Sequence, residues 1–176
     1  MKLIYKTGDV TNPDEVGNIF ILHCVNDCVG GCMGSGVALA LLKKWPLVKS
    51  EYHIWANHRL AESVNSWQSN EEFRLGEIQV VPVKGKTKDN NLIAVVNMVG
   101  QRDVVDFHGI PPIRYEAIRE CLWHVRDCIE HWNKNPINIV APKFGSALAG
   151  GDWDKIEKII IEVFDEVDIN FTVYSL

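Results

Sequence analysis

NIFILHCVNDCVGGCMGSGVALALLKKW, residues 18–45, is the stretch whose reading decides the fold. Residues 19–25 form an apolar run rich in β-favouring side chains and interrupted only by His23, the pattern of a buried strand. Residues 26–35 form a loop holding Gly30, Gly31 and Gly34. After Gly36, the run Val37, Ala38, Leu39, Ala40, Leu41, Leu42, Lys43, Lys44, Trp45 reads as helix. Strand, glycine loop and helix together aim free backbone amides and a helix N-terminus at an anion. The loop contains neither Lys nor Arg, so a phosphate held there rests on amide donors and the helix dipole. Neither familiar phosphate loop fits. Gly36 is followed by Val37 and not by Lys-Ser/Thr, and Leu39 stands where the dinucleotide fingerprint needs glycine or alanine.

Working outward, residues 3–6 read as a first strand entering Gly8, Asp9 and a turn through Asn12 and Pro13. Downstream, Pro46 punctuates the chain and residues 47–64 are helix-compatible, with Trp55 and Leu60 as core anchors. Residues 67–73 read as a connection. Residues 77–83 and 92–99 read as two strands around a turn at 84–91, which would make the sheet mixed. Residues 101–112 are irregular, and Pro112 suits the first turn of the longest amphipathic helix, marked by Ile118, Cys121, Leu122, Val125, Cys128, Ile129 and Trp132. Residues 133–136 stop it. A short strand at 137–141 then enters a second glycine loop, PKFGSALAGG, residues 142–151. The next helix carries Trp153, Ile156, Ile160, Val163 and Phe164, with Asp152 as its N-cap, and residues 169–174 form a final strand. The alternation implies one α/β domain over residues 1–176, three-layer α/β/α with a central mixed sheet. Both glycine loops leave the carboxyl end of an apolar strand, where such sheets bind ligands, and a pyrophosphate suits a pair of amide-lined loops.

Composition narrows the partners. The chain has 176 residues and a formal net charge of -5, which argues against non-specific nucleic-acid binding. No apolar run approaches the roughly 18 residues of a membrane span. Five cysteines, an odd number, do not describe a disulfide framework, and a reducing cytoplasm is the economical inference. Cys24, Cys28 and Cys32 beside His23 invite a metal reading. They form no CxxC pair and the glycines oppose a helix, so loop-lining or buried thiols are expected and no metal.

The pieces YKTGDV, ILHCVN followed by GGCMGSGVA, PKFGSALAGGDW and the C-terminal FTVYSL resemble the macro domains, which bind ADP-ribose, over essentially the whole chain. VNMVGQ leading to GIPPIRYEAI is similar to bacterial and phage proteins that process ADP-ribose-1''-phosphate, in the branch that also holds terminal-ADP-ribose-protein glycohydrolases. The resemblance implies ADP-ribose or ADP-ribose-1''-phosphate as ligand, an ADP-ribosylated protein as a further partner, no cofactor, and a monomer. It implies that Asp9 accepts from the adenine amine, where the residues alone also allow a turn role, and that the Val10 amide donates to the ring. Cys24, Val25 and Asn26 would line the base and distal-ribose side. Gly31, Cys32, Met33, Gly34, Ser35, Gly36 and Val37 would wrap one phosphate and the distal ribose. Gly145, Ser146, Ala147, Leu148 and Ala149 would wrap the other phosphate. The branch's lysine-dependent enzymes carry a lysine where this chain reads Val99, Gly100, Gln101, and an aspartate where it has Ala149, so their Schiff-base route is not implied. Phosphatase chemistry would fall to Asn26 and to the loop carrying Arg102, Asp103, Asp106 and His108, with Asp106 and His108 the first candidates. The alternatives are a non-catalytic ADP-ribose reader and an ADP-ribosyl-protein hydrolase acting without the lysine. His23, inside an apolar strand, reads as a satisfied core histidine.

Overall fold

The apolar run becomes the middle strand of a seven-stranded sheet ordered β1-β7-β6-β2-β5-β4-β3. The computed structural model describes residues 1–30, 33–86, 91–104, 108–132 and 137–176. The strands are β1 (Lys2–Thr7), β2 (Asn18–Asn26), β3 (Trp67–Gln68), β4 (Ile78–Lys86), β5 (Leu92–Gln101), β6 (Ile137–Pro142) and β7 (Asn170–Ser175). The helices are α1 (Gly36–Lys44), α2 (Pro46–Ala56), α3 (Tyr115–His131) and α4 (Trp153–Val163). β1, β7, β6, β2 and β5 run parallel, while β4 pairs antiparallel with β5 and β3 with β4. The sheet is therefore mixed.

Side-chain alternation along β2 builds two cores. Ile19, Ile21 and Val25 pack with Leu41, Val48, Tyr52 and Trp55 of α1 and α2. Phe20 and Leu22 pack with Ile118, Leu122, Val125, Ile156 and Ile160 of α3 and α4. A strand covered on both faces has no polar side, which is why it reads as an unbroken apolar run.

Local details differ from the sequence reading. The helix expected over 47–64 ends at Ala56, where Asn57 donates its amide to the His53 carbonyl (3.0 Å), and only a single 3₁₀ turn follows at Leu60–Glu62. The connection at 67–73 contains the edge strand β3. β4 extends into the expected turn as far as Lys86, while residues 87–90 and the expected stop at 133–136 lie outside the described residues. Pro112 does not open α3. Ile113 instead bridges Gln101, and the helix begins at Tyr115.

Under α2 a polar chain crosses the sheet. His23 Nε2 faces Asn97 Oδ1 at 2.6 Å, Asn97 Nδ2 donates to Gln79 Oε1 (3.0 Å), and Gln79 Nε2 donates to the Glu51 carbonyl (2.9 Å). Because Asn97 spends its amide on Gln79, its oxygen must accept, so Nε2 carries the His23 proton. Nδ1 is buried with no partner among the described residues, so only half of the expected satisfied histidine is realised there. The fully buried Glu51 carboxylate accepts from Ser63 Oγ (2.6 Å), Ser66 Oγ (2.6 Å) and Val64 N (2.8 Å), fixing the chain beyond α2. Burial alone would raise its carboxyl, but these donors outweigh burial and hold it below the usual carboxylate value.

Burial pushes the His23 pKa down to about 4 from 6.5, with the Asn97 contact opposing only in part. An unfolded chain therefore takes up this proton near pH 6.5 and the folded chain only near 4. Stability is intact above pH 6.5 and falls as pH drops through 4, by roughly 3 kcal/mol from this group. Urea titrations at pH 7.5, 6 and 4.5 should show the loss, and His23→Gln, which does not titrate, should flatten that slope.

Candidate functional site at the carboxyl ends of the parallel strands

β2 and β6 are parallel neighbours, paired from Asn18↔Ile137 to Ile21↔Val140, yet β2 feeds α1 on one face and β6 feeds α4 on the other. Their loops therefore leave the same sheet edge and diverge, which opens a crevice at a topological switch point. Residues 8–10 leave the same edge from β1, and residues 101–104 leave it from β5. From β1 to β5 is four strand spacings, about 19 Å, the length scale of an extended nucleotide-sugar.

Around this crevice backbone donors stand open. α1 has Ser35 as N-cap with no side-chain cap, and its first intrahelical bond is Leu39 N to Ser35 O (3.1 Å). The amides of Gly36, Val37 and Ala38 thus have no acceptor among the described residues. α4 differs, because the Asp152 carboxylate caps Asp154 N at 3.0 Å and occupies that end of the helix. In the second loop the open donors are the amides of residues 145–149, again among the described residues. That loop closes on itself through Gly151 N to Gly145 O (2.8 Å) and Gly150 N to Ala147 O (3.0 Å), and Ser146 Oγ donates to the Lys143 carbonyl (2.7 Å). Leu148 projects from its tip, 79% exposed, while Gly145 and Ala149 are buried.

Asp9 is exposed at the β1 end, and its Oδ1 accepts from Thr11 N and Thr11 Oγ1, both at 2.9 Å. It therefore performs the turn role with one oxygen. Oδ2 and the amide of buried Val10 have no partner among the described residues. Cys24 turns toward α3, where it packs on the second core, and burial pushes its thiol up. Val25 packs on the opposite face, under α1 and α2. Asn26 is buried, and its Oδ1 accepts from Cys28 N (3.1 Å) and lies 3.4 Å from Tyr52 Oη, which donates mainly to the Asn26 carbonyl (2.7 Å). Met33 is fully buried beneath α1, while Gly34, Ser35 and Gly36 are exposed. Gly31, Cys32 and Asp106 lie outside the described residues.

The distal end, between the β2 and β5 loops, is organised by a residue the sequence reading missed. Asp27 donates its amide to Gln101 O (2.9 Å) and accepts from Asp103 N (2.8 Å), and its Oδ2 lies 3.8 Å from Arg102 Nε. Asp103 sits at φ 62°, and its Oδ1 accepts from Cys28 Sγ at 3.5 Å. Exposed His108 also has a left-handed backbone, φ 55°. Nothing local in the sequence announces Asp27, because Gln101, Arg102 and Asp103, which it contacts, are the last residue of β5 and the two residues after it. Hollows of about 360 and 380 Å³ lie elsewhere, beside Trp67 and Trp132, and neither includes a residue of the glycine loops. Among the described residues no cluster of His, Cys, Asp or Glu is arranged to hold a metal.

No protein-family model matches the chain, and neither does any curated protein. Solved structures do. A protein of unknown function from Bacteroides thetaiotaomicron is 35% identical, with 100% of this chain and 99% of that one covered and a TM-score of 0.81. A macrodomain protein from Streptomyces coelicolor is 30% identical, with 99% of each chain covered and a TM-score of 0.75. Thermosipho africanus DarTG in complex with ADP-ribose matches at 15% identity and a TM-score of 0.65, over 88% of this chain and 37% of that one, a likeness of fold alone.

Gly151 tests how tightly the second loop is built. A Cβ there would meet the Gly145 carbonyl oxygen at 2.4 Å, whereas one on Gly34 would meet nothing within 4 Å. Gly151→Ala should lower the unfolding free energy by about 1–3 kcal/mol in urea, and Gly34→Ala should stay within about 0.5 kcal/mol of the parent.

Proposed function

This chain belongs to the macrodomain family, and from that premise we propose that it binds ADP-ribose along the strand ends and hydrolyses ADP-ribose-1''-phosphate. The observation that carries the binding reading is the pair of open amide runs, at 36–38 and 145–149, on either side of the β2–β6 crevice. The adenine lies toward Asp9 and Val10, the pyrophosphate between the two glycine loops, and the distal ribose toward Asn26 and the β5 loop. Strand order supports this direction, since β1 and β5 flank the crevice on opposite sides. Amides can hold a pyrophosphate without a Lys or Arg, because several fixed N–H dipoles and a helix N-terminus compensate its charge.

The phosphatase reading rests on Asn26, Arg102 and Asp103 at the ends of β2 and β5, with Asp106 and His108 following in the same segment of sequence. Hydrolysis adds a water oxygen to phosphorus, breaks the bond from phosphorus to the distal-ribose oxygen, and returns a proton to that oxygen. A carboxylate or imidazole takes the water's proton and a cation meets the phosphate. One observation favours a second reading, a binder without turnover. Asn26 is tied by Cys28 N and Tyr52 Oη and so already serves as structure.

Calorimetry should give a micromolar Kd for ADP-ribose, about 8 kcal/mol. Asp9→Ala should weaken binding by about tenfold or more with the fold intact. Phosphate release from ADP-ribose-1''-phosphate, lowered about 100-fold in His108→Ala, decides for the phosphatase. Tight binding with no release decides for the binder.

A further inference from the structure

Of Lys6, Lys44, Lys143, Arg114 and Arg102, five cations around the strand ends, four are committed to a partner. Lys6 pairs with Asp14 and with Glu15. Lys44 donates to the Thr11 carbonyl, and Lys143 stands over the Tyr5 ring. Arg114 Nη1 donates to the carbonyls of Pro111 (2.6 Å), Pro112 (3.2 Å) and Ile113 (2.8 Å). Arg102 is the exception. Its guanidinium makes no hydrogen bond among the described residues, and its side chain is 63% exposed. Its one ionic neighbour among the described residues, Asp27 Oδ2, lies at 3.8 Å from Nε, beyond hydrogen-bond length.

The base of Arg102 is nonetheless fixed. Its amide donates to Pro112 O (2.9 Å), and the residue before it bridges Ile113. The residue after it is held in the left-handed region, φ 62°, by Asp103 N donating to Asp27 Oδ1 (2.8 Å). Asp27 itself is tethered through its amide to Gln101 O (2.9 Å) and is only 24% exposed. Asp27 thus grips three consecutive residues, Gln101 through its own amide, Asp103 through one carboxylate oxygen, and Arg102 only loosely through the other. That asymmetry suits a guanidinium kept near a carboxylate when the site is empty and free to exchange it for another anion. A phosphate dianion is the fitting replacement, because it offers a fork of oxygens that the planar guanidinium meets with two parallel bonds.

We propose that Arg102 and Asp27 form the subsite that distinguishes a terminal phosphate on the distal ribose from a free hydroxyl, with Arg102 contacting the phosphate and Asp27 as its positioning residue. This rests on the ADP-ribose reading above. Asp27 has two opposed effects. Its backbone contacts aim Arg102 at the distal end, while its negative charge competes with the incoming phosphate for the guanidinium. Asp103 adds a second negative charge nearby, so without Arg102 the distal end would repel a dianion.

The test compares binding of ADP-ribose and of its non-hydrolysable 1''-methylenephosphonate analogue by calorimetry, in the parent chain, Arg102→Gln, Arg102→Lys and Asp27→Asn. Arg102→Gln should weaken the phosphonate by about tenfold or more and change ADP-ribose by less than about twofold. Arg102→Lys should recover part of the loss. Asp27→Asn keeps an oxygen for Asp103 N but removes the competing charge. It should tighten the phosphonate severalfold while leaving ADP-ribose unchanged, a gain that a merely structural role for Asp27 does not produce. Equal weakening of both ligands in Arg102→Gln, no change in either, or looser phosphonate binding in Asp27→Asn overturns the subsite alone. A parent chain that binds neither ligand overturns the ADP-ribose reading and the subsite with it.

Discussion

The candidate site depends on the parallel pairing of β2 with β6. Parallel neighbours end at the same sheet edge, so the loops that follow them begin side by side. Because one chain continues to α1 and the other to α4 on the opposite face, those loops part as soon as they begin. Backbone donors at such a parting cannot pair with each other. They are left to water or to an anion, and a run of them costs little while water reaches it. α1 keeps its N-terminal amides open where α4 closes its own with Asp152, so the two sides differ in kind: a helix end faces a ring of loop amides.

Both glycine loops rest on the same segment between β5 and α3. Ile113 donates its amide to Ala149 O (3.1 Å), and its side chain lies under Gly145, where a Cβ would come within 2.6 Å of Cδ1. Pro111 lies in the same way under Gly150, at 2.8 Å from a Cβ placed there. On the other side Asp27 clasps residues 101–103. The segment that carries Arg102 and Asp103 is thus also a floor under the second glycine loop and a clasp on the start of the first. The second glycine loop and the start of the first share one support with the distal residues, so a shift in either is passed to the other through that segment.

Most elements were legible because each has a strong local signature. Doubly covered strands are apolar throughout, as in residues 19–25, and α3 repeats its apolar residues at helical spacing. The misreadings came where the cause is non-local. β3 is two residues long and has no period to read; it exists because Trp67 and Gln68 pair with Val80 and Gln79. The helix start at Pro112 failed because Ile113 is drawn into a bridge with Gln101. The helix expected past Ala56 gives way to a segment pinned by Glu51, whose burial an amphipathic pattern does not announce. At the site, glycine spacing and motif resemblance pointed to the loops, but Asp27 and the loosely held Arg102 appear only once the ends of β2 and β5 are side by side.

The central claim is that open backbone amides at the β2–β6 crevice hold the ligand, and amide chemical shifts report on those groups directly. Titration of the ¹⁵N-labelled chain with ADP-ribose should move the resonances of Val10, Gly36, Val37, Ala38, Ser146, Ala147, Leu148 and Ala149, with the rest of the sheet nearly still. Shifts confined to the hollows around Trp67 and Trp132, or no shifts at millimolar ligand, would contradict the account.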